Sequence, residues 1–165
     1  MRCSVIVCAW FALASGVVAA QPAVRVDTSQ LKGPRTLEEQ TRVAAIRDYL
    51  ESWQSMNEAL EQNRAGLLGA DFVGAAREKL AKAIGEQVRA GVRTRYRDRA
   101  HDIQIVFYSP EGLSIELLDR VDYDLQVIDH DKPVATVPAN ARFIVVLTPS
   151  EVRWRVRIMQ AISPN

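Results

Sequence analysis

The longest regular alternation of apolar and polar residues in the chain is Gly112–Asp129, GLSIELLDRVDYDLQVID. Ile115, Leu117, Val121, Tyr123, Leu125 and Val127 share odd parity, while Glu116, Arg120, Asp122, Asp124 and Gln126 are even. That is the period of a strand with one buried face. Asp119 breaks the odd series. Either the strand bulges there and turns the acid to solvent, or a carboxylate points into the apolar layer. The bulge is the expectation.

Before this strand the period is helical. Thr36-Leu37-Glu38-Glu39 has the form of a capping box. Val43, Ile46, Leu50, Trp53, Met56 or Asn57, and Leu60 follow at steps of three and four, predicting a helix of about 26 residues, roughly 39 Å long. A loose turn over Asn63–Gly69 leads to a second apolar stripe, Phe72, Val73, Ala76, Leu80, Ile84 and Val88, ending at Gly91. Small residues on this second helix (Gly74, Ala75, Ala76, Ala81, Ala83, Gly85) permit close approach to the first helix or to a sheet.

From Val92 the period falls to two. Arg93, Arg95, Arg97 and Arg99 share a parity with His101, Ile103, Ile105 and Phe107, which one regular strand cannot bury together, so the expectation is a break near Asp98–Asp102 or a strand whose first half extends past the core. Ser109-Pro110-Glu111-Gly112 and Asp129-His130-Asp131-Lys132-Pro133 read as hairpin turns. Ala141–Thr148 is predicted as a strand that is apolar on both faces and therefore central. After the turn Pro149-Ser150-Glu151, a last half-buried strand carries Val152, Trp154, Val156 and Ile158. Helices followed by at least four hairpin-linked strands predict an α+β architecture, an antiparallel sheet with helices on one face.

The N-terminus has a different character. Arg2, the apolar run Val5–Ala14 and the small residues Val18-Ala19-Ala20 before Gln21 predict a secretory signal peptide over 1–20, the alternative being an uncleaved anchor. Residues 21–35 read as a flexible leader, and 36–163 as a single domain. Cys3 and Cys8 are the chain's two cysteines and fall in the signal, so thiol catalysis, disulfides and thiolate metal sites are excluded from the mature protein. Removing Arg2 leaves 20 basic residues against 20 acidic ones, which predicts no global pull toward nucleic acid or anionic membrane.

The pieces YLESWQ, LGADFVGA, SIELLDRVDYDLQV and TPSEVRWRVRIMQAI, in that order over Leu37–Ile162, resemble the nuclear transport factor 2-like (SnoaL-like, cystatin-like) superfamily. The resemblance implies a curved sheet wrapped around the helices as a cone with an apolar pocket. It also implies a homodimer through the sheet as a possible assembly. The first helix and the WRVRIMQ ending look similar to accessory, non-catalytic members attached to import and division proteins.

Two readings of function follow. In the first, the domain is an exported, non-catalytic module that binds a partner protein or a small apolar ligand, with Trp53, Phe72, Phe107, Tyr123 and Trp154 as pocket residues. In the second, Asp119, Tyr123 and His101 on the pocket face, with Gln160 nearby, abstract a proton next to a carbonyl in a small isomerase, dehydratase or hydrolase, as the resemblance to ketosteroid isomerase-like relatives implies. The first is preferred. The arginine series 93–99 is read as a solvated face with cross-strand charge pairs rather than a phosphate ladder. The Asp129-His130-Asp131-Lys132 cluster is read as a polar turn, and neither metal nor cofactor is expected.

Overall fold

The alternation that dominates the sequence forms one strand, β3, from Ile115 to Asp129, and the rest of the fold is arranged on either side of it. The structure, a computed structural model, describes residues 21–162, so the expected signal segment lies outside the described residues. Before β3 come β1 (Ala23–Asp27), α1 (Glu39–Glu61), a 3₁₀ turn (Ala65–Gly69), α2 (Gly74–Ala90) and β2 (Arg93–Tyr108). After it come β4 (Lys132–Pro149) and β5 (Trp154–Ile162). The strands lie in the order β1-β2-β3-β4-β5, antiparallel except for β1, which runs parallel to β2. This is the α+β sheet-and-helix arrangement that the element order predicts.

β3 has no bulge of its own and keeps its odd residues inward from Ile115 to Leu125, because the irregularities fall on its neighbours; at its end, Gln126 and Ile128 are buried instead of the expected Val127. Against it, β2 carries extra residues at Arg99 and Val106, β4 carries one at Val134, and β5 carries one at Arg157 against β4. Each bulge reverses which parity faces inward and bends the strand, which supplies the curvature that strands of 15 to 18 residues need to wrap a helix layer. The reversal at Arg99 resolves the arginine problem: Tyr96 and Asp98 face the helices before it, and His101, Ile103 and Ile105 after it.

Three expectations are corrected. Part of the 21–35 leader is strand β1, and Lys32 pairs further along β2 through hydrogen bonds with Val106 and Tyr108. At Gly33 the chain passes so close to the Tyr108 carbonyl that a Cβ would sit 2.5 Å from its oxygen, which excludes any larger residue. The Thr36 capping box is not formed, because α1 begins at Glu39 with no side-chain cap. β4 begins well before the expected Ala141–Thr148, the prolines Pro133 and Pro138 being tolerated where β4 has no β5 partner.

α1 lies on the inner face with Ala45, Ile46, Tyr49, Trp53, Met56, Ala59 and Leu60 buried at three- and four-residue steps, while Val43 faces solvent. Its C-terminal half also guards the open edge of β2: Asn57 accepts from the Tyr96 N–H at 2.9 Å, Asn63 donates to the Val92 carbonyl, and Glu61 pairs with Arg95. α2 packs on β5 and meets α1 at few residues, so the two helices leave a gap over the sheet. Gly91 ends α2 at a φ of 67°, as expected of a helix C-cap.

The start of β5 is fastened to α1 by acids that the core contains. Asp48 is 2% exposed; its carboxylate accepts from the Trp154 N–H at 2.8 Å and from Arg47. Asp71, equally buried, accepts from Arg153 and Ser55. Replacing Asp48 by Ala strands the Trp154 N–H, and the expected loss is about 2 kcal/mol in urea unfolding with an unchanged slope. Asp48→Asn, which keeps an acceptor, loses less; equal losses would show that the Trp154 bond is not what matters.

Candidate functional site

Asp119 does not bulge. It follows Leu117 and precedes Val121 on the inner face, with Ile103 of β2 and Phe143 of β4 directly beside it, and it is 0% exposed. A carboxylate placed there must be paired. The Tyr49 hydroxyl of α1 donates to its Oδ2 at 2.7 Å, and His101 Nδ1 of β2 lies 2.7 Å from the same oxygen. His101 Nε2 lies 3.2 Å from Oδ2 of Asp98, which leads toward the surface. Both imidazole nitrogens therefore face carboxylate oxygens and both act as donors, the arrangement of an imidazolium. Asp119 Oδ1 is buried and has no hydrogen-bond partner among the described residues.

The electrostatics agree with this geometry. Burial alone lowers the His101 pKa, but the hydrogen bonds to Asp119 and Asp98, with their charges, outweigh it and raise it to about 9. Burial, and then the Asp119 charge, hold the Tyr49 phenol well above its ordinary value. This set is closed off. Trp53 stands edge-on to His101 at 5.1 Å between ring centroids, and Phe143 stands edge-on to Trp53 at 5.6 Å.

On the other side of that aromatic wall, the gap between α1 and α2 forms a cleft of about 220 Å³. Trp53, Met56 and Leu60 of α1, with Ala76 of α2, form its buried floor; Lys79, Leu80 and Ala83 of α2, Tyr96, Phe143, Met159 and Ala161 complete it. Ala76 and Ala83 are the small residues that keep the space open. A larger furrow of about 490 Å³ crosses the outer face beside Gln30, Lys32, Gln104, Phe107 and Glu116. Its walls interleave Val106, Phe107 and Leu118 with amide, ammonium and carboxylate groups, so it lacks the continuous apolar lining that orders a small ligand. Asp119 lines neither space.

Neither a family model nor a curated protein matches the sequence. The structure is similar to the intermembrane-space region of chloroplast protein ARC6, with a TM-score of 0.63 at 12% identity over 79% of this chain and 100% of that one. It is also similar to Aln2 from a Streptomyces species, with a TM-score of 0.53 at 12% identity over 78% of this chain and 94% of that one. Both neighbours share this chain's arrangement of helices on a curved antiparallel sheet. At such identities the likeness is of fold alone and assigns no chemistry.

Within this fold, the residues named from the sequence separate. Asp119 and His101 meet, but Tyr123 does not join them; it packs against Tyr96 at 5.2 Å, and the phenol on Asp119 belongs to Tyr49. Of the expected pocket residues, Trp53 lines the cleft. Phe72 is fully buried in the core, Trp154 is half-buried where β5 meets α1, and Tyr123 lies next to Tyr96 outside the lining. The bulges at Val106 and Arg157 turn Phe107 and Gln160 outward. Of the arginine series, Arg93, Arg95 and Arg99 pair with Asp131, Glu61 and Asp124. On the same outer face Leu118, Ile144, Val146 and Ile158 form a half-buried to exposed apolar zone.

A folded-state His101 pKa of about 9, above the ordinary value near 6.5, means that the folded chain keeps a proton the unfolded chain has lost. The resulting stabilisation, roughly 3 kcal/mol, is complete below about pH 6.5 and disappears as pH rises through about 9. Urea unfolding from pH 6 to 9.5 is expected to show this decline, and Asp119→Asn to flatten it. NMR of the His101 ring should show an imidazolium at pH 7.5; a neutral ring there would overturn the assignment.

Proposed function

We propose that the domain is a non-catalytic binding module whose ligand is a small apolar molecule held in the cleft between α1, α2 and the inner sheet. The observation that carries this reading is the lining: aliphatic, aromatic and thioether groups from both helices and three strands converge on one space, with a buried floor and a partly exposed rim. Cavities of about 150 Å³ lined by such groups bind benzene, so about 220 Å³ suits a chain of about eight carbons. Each buried methylene contributes about 0.8 kcal/mol, which, after the cost of association, gives dissociation constants of about 0.1–1 mM.

Binding is preferred to turnover for reasons of access. A general base must reach the proton it removes, directly or through one water. Asp119 and Tyr49 are 0% exposed, and Trp53 and Phe143 separate them from the cleft. The acid is better accounted for as part of the core's support than as a reagent.

The reading extends to compartment. The signal-like N-terminus supports export, with a cut before Gln21, and no helix of the described residues is long and apolar enough to cross a membrane. Mass spectrometry of the exported protein should give a mature N-terminus at Gln21; an intact Met1 would exclude cleavage.

The uncharged probe 1-octanol tests the cleft. Titration is expected to shift the Trp53 indole N–H resonance and the Met56 and Met159 methyl resonances, with saturation below a few millimolar. Ala83→Phe fills the space and should abolish these shifts while leaving the unfolding free energy in urea within about 1 kcal/mol of the parent. Shifts that persist in Ala83→Phe, or no shift in the parent, would reject the cleft as the site.

A further inference from the structure

Charge distinguishes this cleft from a plain hydrophobic hole. Among the described residues its lining contains one ionic side chain, Lys79, and no acid. Lys79 is exposed, so its stem lies along the rim while the ammonium reaches water at the mouth. Helix spacing leaves that charge unneutralised: the residues three and four positions from Lys79 are Ala75, Ala76, Lys82 and Ala83, which supply a second cation and no carboxylate. Paired cations do occur elsewhere in the molecule. Arg42, Arg47, Arg93, Arg95, Arg99 and Arg153 are each matched to a named acid.

Building on the apolar-cleft reading, we propose that the ligand is a short apolar carboxylate, its chain against Trp53, Phe143 and Met159 and its head group on Lys79. The chemistry is that of an amphiphile. Burying a chain of about eight carbons brings its terminal group to the rim, where a carboxylate stays hydrated on one side and meets the ammonium on the other. A cationic head group would meet Lys79 and Lys82 as like charges, and a neutral alcohol would gain only the apolar contact. The lysine therefore acts as the selector and the apolar floor as the source of affinity.

Octanoate, 1-octanol and octylamine, titrated at pH 7 and low ionic strength against the parent and Lys79→Met, test this. Methionine keeps the apolar stem and the helix propensity but removes the charge, and at an exposed position it should leave folding intact, as a urea midpoint will show. In the parent, octanoate is expected to bind about fivefold more tightly than octanol, with octylamine weakest; the advantage should shrink as salt is raised. Lys79→Met should remove the fivefold advantage, so that octanoate binds no more tightly than octanol. Equal binding of octanoate and octanol in the parent, or octanoate binding that Lys79→Met does not weaken, would overturn the carboxylate assignment while leaving the apolar cleft standing. Failure of all three probes would overturn the cleft reading and this assignment with it.

Discussion

The arrangement depends on one buried carboxylate. Asp119 occupies a position on the inner face of β3 where its neighbours along and across the sheet are Leu117, Val121, Ile103 and Phe143. That position is sealed from solvent, so its partners must come from the protein, and they come from two different elements: Tyr49 on α1 and His101 on β2. Breaking a buried pair of this kind typically costs about 3–5 kcal/mol, more than losing most single apolar contacts. The consequence is positional. Apolar packing alone would accept α1 rotated or slid along the sheet by part of a turn, whereas the hydroxyl of Tyr49 reaches Oδ2 from one rotation and one height.

Once α1 is set in this way, much of the remaining layout follows. Trp53, one turn after Tyr49, is delivered against His101 and Phe143, and Asn57, one turn further, meets the free edge of β2. Asp48, on the adjoining side of the helix, receives the first backbone N–H of β5. The helix is thus fixed at its centre by an ion network and along its length by bonds to both margins of the sheet. α2 has no comparable polar anchor to α1 among the described residues and follows β5, which is why the space between the helices stays open rather than closing into a conventional helix pair.

Much of the fold was legible in the sequence because β3 obeys a simple period from Ile115 to Leu125; only at its end does burial pass to Gln126 and Ile128 instead of the expected Val127. The same rule failed on β2 and β5, where Arg99, Val106 and Arg157 each shift the parity by one residue; those shifts put Phe107 and Gln160 on the outer surface, although alternation placed them inside. No local signal marks these bulges, since the residues that make them are ordinary strand residues. Asp119 was visible as an anomaly, but its meaning lay seventy positions earlier, in Tyr49, which the expected helical stripe passes over in favour of its neighbour Leu50. A polar residue on a core face asks for a partner, and a tyrosine on a facing helix is a donor that periodicity counts only as bulk. β1 was missed for a different reason: five residues paired to one neighbour carry too little pattern to register.

The buried ions and the cleft share Trp53, and this decides how the two halves of the molecule relate. One edge of the indole packs on the imidazole ring that Asp119 and Asp98 hold; the same side chain is part of the cleft floor. A cleft floor made of aliphatic side chains could collapse into the space between two loosely associated helices, removing a cavity that lowers packing density. Here the collapse is resisted, because moving Trp53 inward means displacing His101 from between two carboxylates, and moving it outward means losing the imidazole ring behind it. The acid that looked like a reagent thus has a mechanical role: the energy that its pairing contributes keeps a hydrophobic hole open.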